Sequence, residues 1–571
     1  MTTVDISLAR AEWQALLFAP APQRRALMKL EPTWPTRTFR LRVHRNHAFE
    51  PVASALAPYL AFAGLQAEIT YSDYDDSLTF ATPGPADVDL VWLDFARYRG
   101  AGEDSGIATW ITERLAALRA ESAAPILVPD FPDDTDAAWR FNGELRELVA
   151  PLPGVYVCDQ AAVRAELGAA YFDARAAAAV GTRVSNAACL RTARLLGSSW
   201  LPAVLSPRLK AVVLDLDQTL YDGVLGEDGV DGVRLSEDAA ALQRKIVALR
   251  DEGLFLAVCS RNEAADVAQL FAARTDFPLR PEHFSALEIS WDHKAAGLRR
   301  IAAALRIGTD ALLFVDDNPG ELAAVASELP DVKLLYAGAG AHETLQALTY
   351  FPGLFRWRAD ETDALRANDL EATRVRESLA AEVSDPNAYL RSLEVRLQFT
   401  RDARAELDRL SSLSNKTNQF NVSLRRLSPA DVAEYIDAPD RSALSVRLRD
   451  RLSDSGIIGA MFTRREGDVL LVDELCISCR ALGRRLEDVM ITEAVRCVLG
   501  DVTDVRFVRF RPVQGPRNAP ALEWLARFAG PSAADPAGWV TIPWDGAAAA
   551  ALVERAPVQI EAPELDPVGQ A

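Results

Sequence analysis

Only six of the 571 residues are cysteine, at 158, 189, 259, 476, 479 and 497, and they form no paired CxxC…CxxC arrangement. The lone CISC at 476–479 has no second pair of ligands to complete a tetrahedral zinc site. Such sparse thiols read as those of a reduced, cytoplasmic protein. No apolar run approaches the roughly 18 residues of a membrane helix. The N-terminus, MTTVDISLARAEWQALLFAP, carries acids early and has no compact apolar core of signal-peptide type. Basic charge is in deficit: 62 Lys and Arg stand against 81 Asp and Glu, a net −19. Nucleic acid and anionic lipid both require a basic face, so neither is expected as a partner. An acidic ligand would have to find a local arginine patch.

An apolar share of 49% with 25% charged residues belongs to an ordinary soluble globular protein, with room for roughly three or four domains. Residues 1–200 alternate strand-like runs, FRLRV (39–43), VDLVWLDF (88–95), PILVPDF (125–131) and GVYVCD (154–159), with helical stretches. This predicts an α/β domain with a largely parallel sheet. It contains no G-x-S-x-G elbow and no glycine-rich phosphate loop, and its His44 and His47 are expected to be surface or structural residues. Residues 205–350 carry five strand candidates, AVVLD, LFLAVCS, ALEIS, ALLFVDD and VKLLYA, separated by helical stretches, a doubly wound parallel pattern. Residues 365–545 mix helices with strands such as LEVRLQFT and DVLLVDELCIS. Residues 546–571 are rich in Ala, Pro and acids and are expected to be a flexible tail.

In the middle region the chemical residues fall where a doubly wound sheet places its ligands, beyond the carboxyl ends of the strands. VVLDLDQTLYDGVLGEDG (212–229) runs from an apolar strand into Asp215 and Asp217, with Thr219 two further on. Carboxylates so close repel one another and lose solvation near a core, and a divalent cation is the usual compensation. Ser260 follows the second strand in VCSRNE, Lys294 stands in SWDHKAAG, and Asp316 and Asp317 end a later strand. The set suits phosphoryl transfer. A carboxylate attacks phosphorus, a second moves the proton, a hydroxyl and an ammonium hold the phosphoryl oxygens, and magnesium offsets the crowded charge. Singly, each has a plainer reading: a helix-capping Ser, a surface Lys, a loop Asp.

DLDQT, CSRN, Lys294 and FVDDNPGE resemble, in order, the four motifs of the haloacid dehalogenase (HAD) superfamily of phosphohydrolases. LYDGVLGEDGVDG and FVDDNPGEL resemble its FkbH-like branch, within subfamily IIIC. The resemblance implies Asp215 as nucleophile, Asp217 as general acid and base, and Thr219, Ser260 and Lys294 as phosphate-binding groups. It also implies Mg2+ held by Asp215, the backbone carbonyl of Asp217 and Asp316, with Asp317 and Asn318 in a supporting layer. DLDQTLYDG departs from the branch's DLDNTLWGG at Gln218, Tyr221 and Asp222, positions expected to border the substrate pocket. The spans from Thr219 to Ser260 and from Ser260 to Lys294 are too short for a large cap. An open site suits a bulky substrate or one presented on a flexible arm.

SNKTNQFNVSLRR (414–426), LRDRLSDSGIIG (448–459), LCISCRALGRRLED (475–488) and RFRPVQGPRNAPALEWLARF (509–528) resemble the C-terminal part of FkbH-like proteins, which is similar to an N-acetyltransferase (GNAT) fold. The resemblance extends weakly over the first region, which is similar to the degenerate SGNH-hydrolase-like domain that often precedes the branch. RALGRRLE is a turn feeding a helix, and Arg480, Gly483, Arg484 and Arg485 at its start suit a phosphate. The matching acetyltransferase loop holds the pyrophosphate of coenzyme A. Arg485 stands where the branch usually has Gly, so the phosphate of a carrier protein's pantetheine arm is expected over free acetyl-CoA, with a solvated basic helix start as the plainer alternative. Cys259 and Cys479 are the candidates for a covalent acyl step of the kind attributed to glyceryl-loading relatives, a buried structural cysteine being the alternative for each.

The leading expectation is a Mg2+-dependent, FkbH-like phosphatase/acyltransferase of specialised metabolism, such as polyketide biosynthesis. It would dephosphorylate a phosphorylated small acid and load the acyl group on an acyl carrier protein. A plain HAD phosphatase of a small metabolite and a non-catalytic carrier-docking scaffold are the alternatives.

Overall fold

Ala211–Leu214, a four-residue run of AVVL, is wholly buried at the centre of a five-stranded parallel sheet. Strands of such a sheet are covered on both faces, which is why they read as unbroken apolar runs. The computed structural model describes residues 3–357 apart from 83, 99–105 and 134, and 369–561 apart from 371, 374, 377, 380–384, 479, 483, 501 and 531–533. The chain divides into two units, Met1–Ala359 and Asp360–Ala571.

The first unit holds two parallel sheets. The first comprises β1 (Arg37–Arg45), β2 (Leu65–Tyr74), β3 (Val88–Trp92), β4 (Ile126–Pro129) and β5 (Val155–Cys158), in the order β2-β1-β3-β4-β5. The second comprises β6 (Ala211–Leu214), β7 (Phe255–Ser260), β8 (Phe284–Ile289), β9 (Leu312–Asp316) and β10 (Lys333–Tyr336), in the order β10-β9-β6-β7-β8. All five strands expected between 205 and 350 are present. β2 was not anticipated: it is an edge strand, half exposed, and its LQAEITYSDY has no apolar run to announce it.

The two sheets share one core. Leu17, Phe62, Tyr59 and Trp200 belong to the same buried cluster as Leu214, Leu348 and Phe351. The first helix, Thr3–Leu17, also reaches the second sheet's open edge. Gln14 Nε2 donates to Tyr336 O at 2.7 Å, and Tyr336 N donates to Gln14 Oε1 at 3.1 Å. A side-chain amide thus occupies the backbone groups that an edge strand would otherwise leave unpaired. Arg194 is buried, donates to Ala19 O at 3.1 Å and lies 3.8 Å above the Tyr350 ring.

The second unit is built on one seven-stranded mixed sheet. Its strands are β11 (Arg396–Arg401), β12 (Arg441–Arg449), β13 (Asp454–Glu466), β14 (Val469–Ile477), β15 (Phe507–Phe510), β16 (Val540–Pro543) and β17 (Gln559–Glu561), in the order β16-β15-β14-β13-β12-β11-β17. β14 and β15 run parallel, and the helix Glu487–Leu499 connects them. Residues 546–561, expected as the start of a flexible tail, are instead structured. Asp545 caps the helix Gly546–Arg555 by accepting from Ala547 N at 2.9 Å and Ala548 N at 3.1 Å, and β17 then pairs with β11. Among the described residues no helix is long and apolar enough to cross a membrane.

The shared core predicts an intolerance at Gly197. A Cβ there would lie 2.5 Å from Tyr59 Cβ and 3.2 Å from Leu56 Cδ1, where two helical segments meet. Gly197→Ala is expected to lower stability by about 1–3 kcal/mol, measured by chemical denaturation; an unchanged midpoint would contradict this packing.

Candidate active site

β6 begins the second sheet, β7 and β8 extend it to one side, and β9 and β10 return to the other. The strand order therefore reverses between β6 and β9, and the crevice beyond their carboxyl ends is where such sheets bind ligands. Asp215 follows β6 and is buried; Asp316 ends β9 and is wholly buried. Asp215 N donates to Val315 O at 2.9 Å, fixing the two strand ends side by side.

Lys294 opens the helix Lys294–Ala304 and is only 5% exposed, so it is not a surface lysine. Its Nζ lies 2.8 Å from Asp215 Oδ1 and 2.5 Å from Asp316 Oδ2. Burial disfavours the ammonium, but Asp215 and Asp316 outweigh it and raise the Lys294 pKa. Burial and the adjacent Asp215 push Asp316 up to about 7 despite that lysine, and the same two causes raise Asp317. The carboxylates of Asp215, Asp316 and Asp317 bring oxygens within 4.8 Å of one another, the one such ligand group among the described residues. Three acids thus face one ammonium. Hard carboxylate oxygens in this number suit Mg2+. Asp317, expected one layer out, contributes its carboxylate to the cluster itself. Asn318 has the supporting part: its backbone N–H donates to Asp316 Oδ1 at 2.8 Å, and its Oδ1 caps the next helix by accepting from Gly320 N at 2.8 Å.

Asp217 is held apart from that cluster by three donors. Tyr221 OH reaches its Oδ1 at 2.7 Å, Leu225 N the same oxygen at 2.9 Å, and Asn262 Nδ2 its Oδ2 at 2.9 Å. Asn262 also reaches Ser260 Oγ at 3.2 Å, linking the acid to the hydroxyl at the end of β7. Sequence reasoning gave Asn262 no role, although an amide two residues beyond a strand-end serine was the available signal. Tyr221 was expected to border the substrate pocket; it is 2% exposed and packs on Phe277, with its hydroxyl committed to Asp217. Gln218 takes a left-handed φ of 54°, which turns the chain between Asp217 and Thr219. Thr219 is 3% exposed and its Oγ1 has no hydrogen-bond partner, a cost that a bound oxyanion would relieve.

Two other expectations are corrected. Cys259 is buried, its Sγ contacts Lys294 O at 3.7 Å, and burial pushes its thiol up to about 12. It packs beneath the helix that carries Lys294 and is not a poised nucleophile. Arg484 is 5% exposed, with its guanidinium 3.2 Å from Asp450 Oδ2, 3.2 Å from Ser455 Oγ and 3.5 Å from Asp369 Oδ1. Arg376 pairs with the same two acids, at 2.8 Å to Asp450 and 3.1 Å to Asp369. Arg484 is a buried tie, not a phosphate-binding group. Arg485 is exposed and Arg480 half-buried, while Cys479 and Gly483 lie outside the described residues. Cys476 is fully buried in β14. In the first sheet, His44 is buried against Asp89 at 3.0 Å and His47 is stacked on Trp92, both structural placements.

No family model matches the chain, and no curated protein matches it. Solved structures do. The N-terminal part of a Bacteroides fragilis protein, described as containing a phosphatase domain and complexed with Mg, is 18% identical and covers 58% of this chain and 98% of its own, with a TM-score of 0.47. A Streptomyces avermitilis protein described as a HAD family hydrolase by assignment is 20% identical over 26% of this chain and 92% of its own, with a TM-score of 0.19. An aminoglycoside acetyltransferase in complex with coenzyme A and kanamycin is 16% identical over 27% of this chain and 96% of its own, with a TM-score of 0.19.

Two outcomes follow from this geometry. Lys294→Ala leaves buried carboxylates without their ammonium and is expected to cost roughly 3 kcal/mol in EDTA. Millimolar Mg2+ should recover part of that loss in thermal unfolding; equal destabilisation with and without the ion would contradict a cation site. Arg484→Ala should destabilise the full chain by about 3–5 kcal/mol in denaturant unfolding, whereas an exposed phosphate-binding arginine would change it by under about 0.5 kcal/mol.

Proposed function

We propose that the chain is a Mg2+-dependent phosphoryl-transfer enzyme of the HAD type that dephosphorylates a phosphorylated small acid. The observation that carries this reading is the convergence of Asp215, Asp316 and Asp317 around Lys294 at the reversal of the strand order. Asp215, Asp316 and Asp317 would hold the ion, which supplies charge neutralisation and polarises phosphoryl oxygens.

The chain's own groups then divide the work. A carboxylate oxygen of Asp215 attacks phosphorus, a new O–P bond forms, and the bond from phosphorus to the ester oxygen breaks. Lys294, Ser260 and the unpartnered Thr219 hydroxyl offer donors to the phosphoryl oxygens. The departing alkoxide takes a proton from Asp217. Water then cleaves the aspartyl phosphate, giving its proton back to Asp217 and restoring Asp215. Tyr221, Leu225 N–H and Asn262 fix the direction of Asp217, and its Oδ2, with one amide donor, keeps a lone pair for that proton.

The finer reading is FkbH-like: the acyl group of the same acid passes to an acyl carrier protein in specialised metabolism. Its support is the run of motifs from DLDQT to RFRPVQGPRN. One observation favours the plain phosphatase instead, because Cys259, the candidate thiol beside these acids among the described residues, is buried and its pKa is raised. Hydrolysis of an aryl phosphate with and without Mg2+ tests the common part. Turnover should require the ion and fall at least about a thousandfold in Asp215→Asn; ion-independent turnover would reject it. Intact-protein mass spectrometry of carrier proteins incubated with enzyme and phosphorylated acids separates the two readings. Mass gain by a carrier supports acyl loading, and phosphate release without mass gain supports the phosphatase.

A further inference from the structure

Three stretches far apart in sequence meet over β13 and β14 of the second unit. Val422 N donates to Leu475 O at 3.0 Å, and Arg425 N donates to a carboxylate oxygen of Glu474 at 2.5 Å, laying the 421–426 loop along β14. Val513 N donates to Val422 O at 2.9 Å, and Asn518 Nδ2 to Asn421 O at 2.8 Å, so the segment after β15 is fastened to the same loop. The register of β13 against β14 slips between Phe462 and Thr463, leaving Asp473 as the extra residue of a bulge. Bulges of this kind re-aim a side chain out of the sheet's regular alternation.

These contacts border an open cleft of about 620 Å3 whose wall carries four arginines, Arg425, Arg441, Arg464 and Arg511, and one acid, Asp473. Asp473 acts as an internal strut. It accepts from Tyr435 OH at 2.7 Å, its Oδ1 lies 3.2 Å from Arg464, and its Oδ2 lies 3.8 Å from Arg425. Arg464 also pairs with Glu466, and Arg441 with Glu434 at 2.8 Å, at the rim. Arg511 is exposed, and Arg425, 48% exposed along its side chain, donates from Nη1 to Tyr435 OH at 2.9 Å beside its contact with Asp473. Ser423 supplies an independent sign of a ligand. It is 7% exposed, lines the same cleft, and its buried Oγ has no hydrogen-bond partner. In a chain of net charge −19 this is the local arginine patch an acidic ligand requires.

We propose that this cleft is a binding site for the phosphate monoester group of a small metabolite, separate from the acidic centre of the first unit. Guanidinium forks pair with carboxylate and phosphate alike, but four of them and a hydroxyl supply more donors than the two oxygens of a carboxylate can use, a number that suits the several terminal oxygens of a phosphate. The volume exceeds that of a bare phosphate and leaves room for the esterified part beside Tyr435 and Trp539. The inference does not depend on catalysis by Asp215.

Calorimetric titration of the full-length Asp215→Asn chain in EDTA keeps the acidic centre silent while the cleft is probed. Inorganic phosphate and phosphoglycolate are the positive probes, and glycolate is the control. Phosphoglycolate should bind one per chain at or below about 1 mM, more tightly than phosphate, with glycolate weaker than both. Arg511→Ala and Arg425→Ala should each weaken it about tenfold or more, and Ser423→Ala less. The arginine variants should retain the Mg2+-dependent aryl phosphate hydrolysis of the unaltered Asp215 chain. If Arg425→Ala fails to fold, Arg511→Ala, at an exposed position, decides the matter. No binding near that concentration, equal binding by Arg511→Ala, or preference for glycolate would overturn the assignment.

Discussion

One ammonium holds two strand ends together. Lys294 Nζ stands between Asp215 and Asp316, at 2.8 and 2.5 Å, in the crevice where the second sheet reverses its order. At an effective dielectric near 20, each such pair is worth roughly 6 kcal/mol of attraction before desolvation, and desolvation takes back several kcal/mol per buried ion. The result is close to balance, and Asp317 brings a third carboxylate to the same cluster. Three carboxylates around one ammonium are a donor set that suits a divalent cation.

Much of the first unit positions these few atoms. The buried AVVL of β6 and the fully buried β9 set the spacing of the two acids. Cys259 and Gly297 pack the Lys294 helix against the sheet, Gly297 leaving no room for a side chain beside the Cys259 sulfur. Tyr221 and Asn262 hold Asp217 away from the clustered acids, so two aspartates one residue apart have different surroundings. In the proposed reaction it is this difference of environment, not of residue type, that would separate a nucleophile from a proton carrier. The N-terminal sheet shares the same core, and Gln14 closes the far edge of the active-site sheet.

The middle region was legible because its strands are continuous apolar runs ending in acids, a signal that needs no knowledge of distant partners. β2 was not legible, since an edge strand facing solvent alternates weakly and looks like a loop. Gln14 could not have been read either, as its partner lies 322 residues away. Arg484 shows the sharper limit. In sequence it sits in a basic turn before a helix, the expected setting for an anion, yet Asp450 and Asp369 bury it. Whether an arginine binds a ligand or a neighbour depends on which acids the fold brings to it. Arg425 and Arg511, which line the cleft of the second unit, stand in stretches that the motifs mark out without a role for either arginine.

The central claim is that the strand-end carboxylates of the first unit form a divalent cation site. Mn2+ titration followed by electron paramagnetic resonance reads the free ion directly, without turnover. The account predicts that the chain removes one Mn2+ per molecule from solution, that Mg2+ displaces it, and that Asp316→Asn abolishes the uptake. Stoichiometric uptake that survives in Asp316→Asn, or none in the unaltered chain, would contradict it.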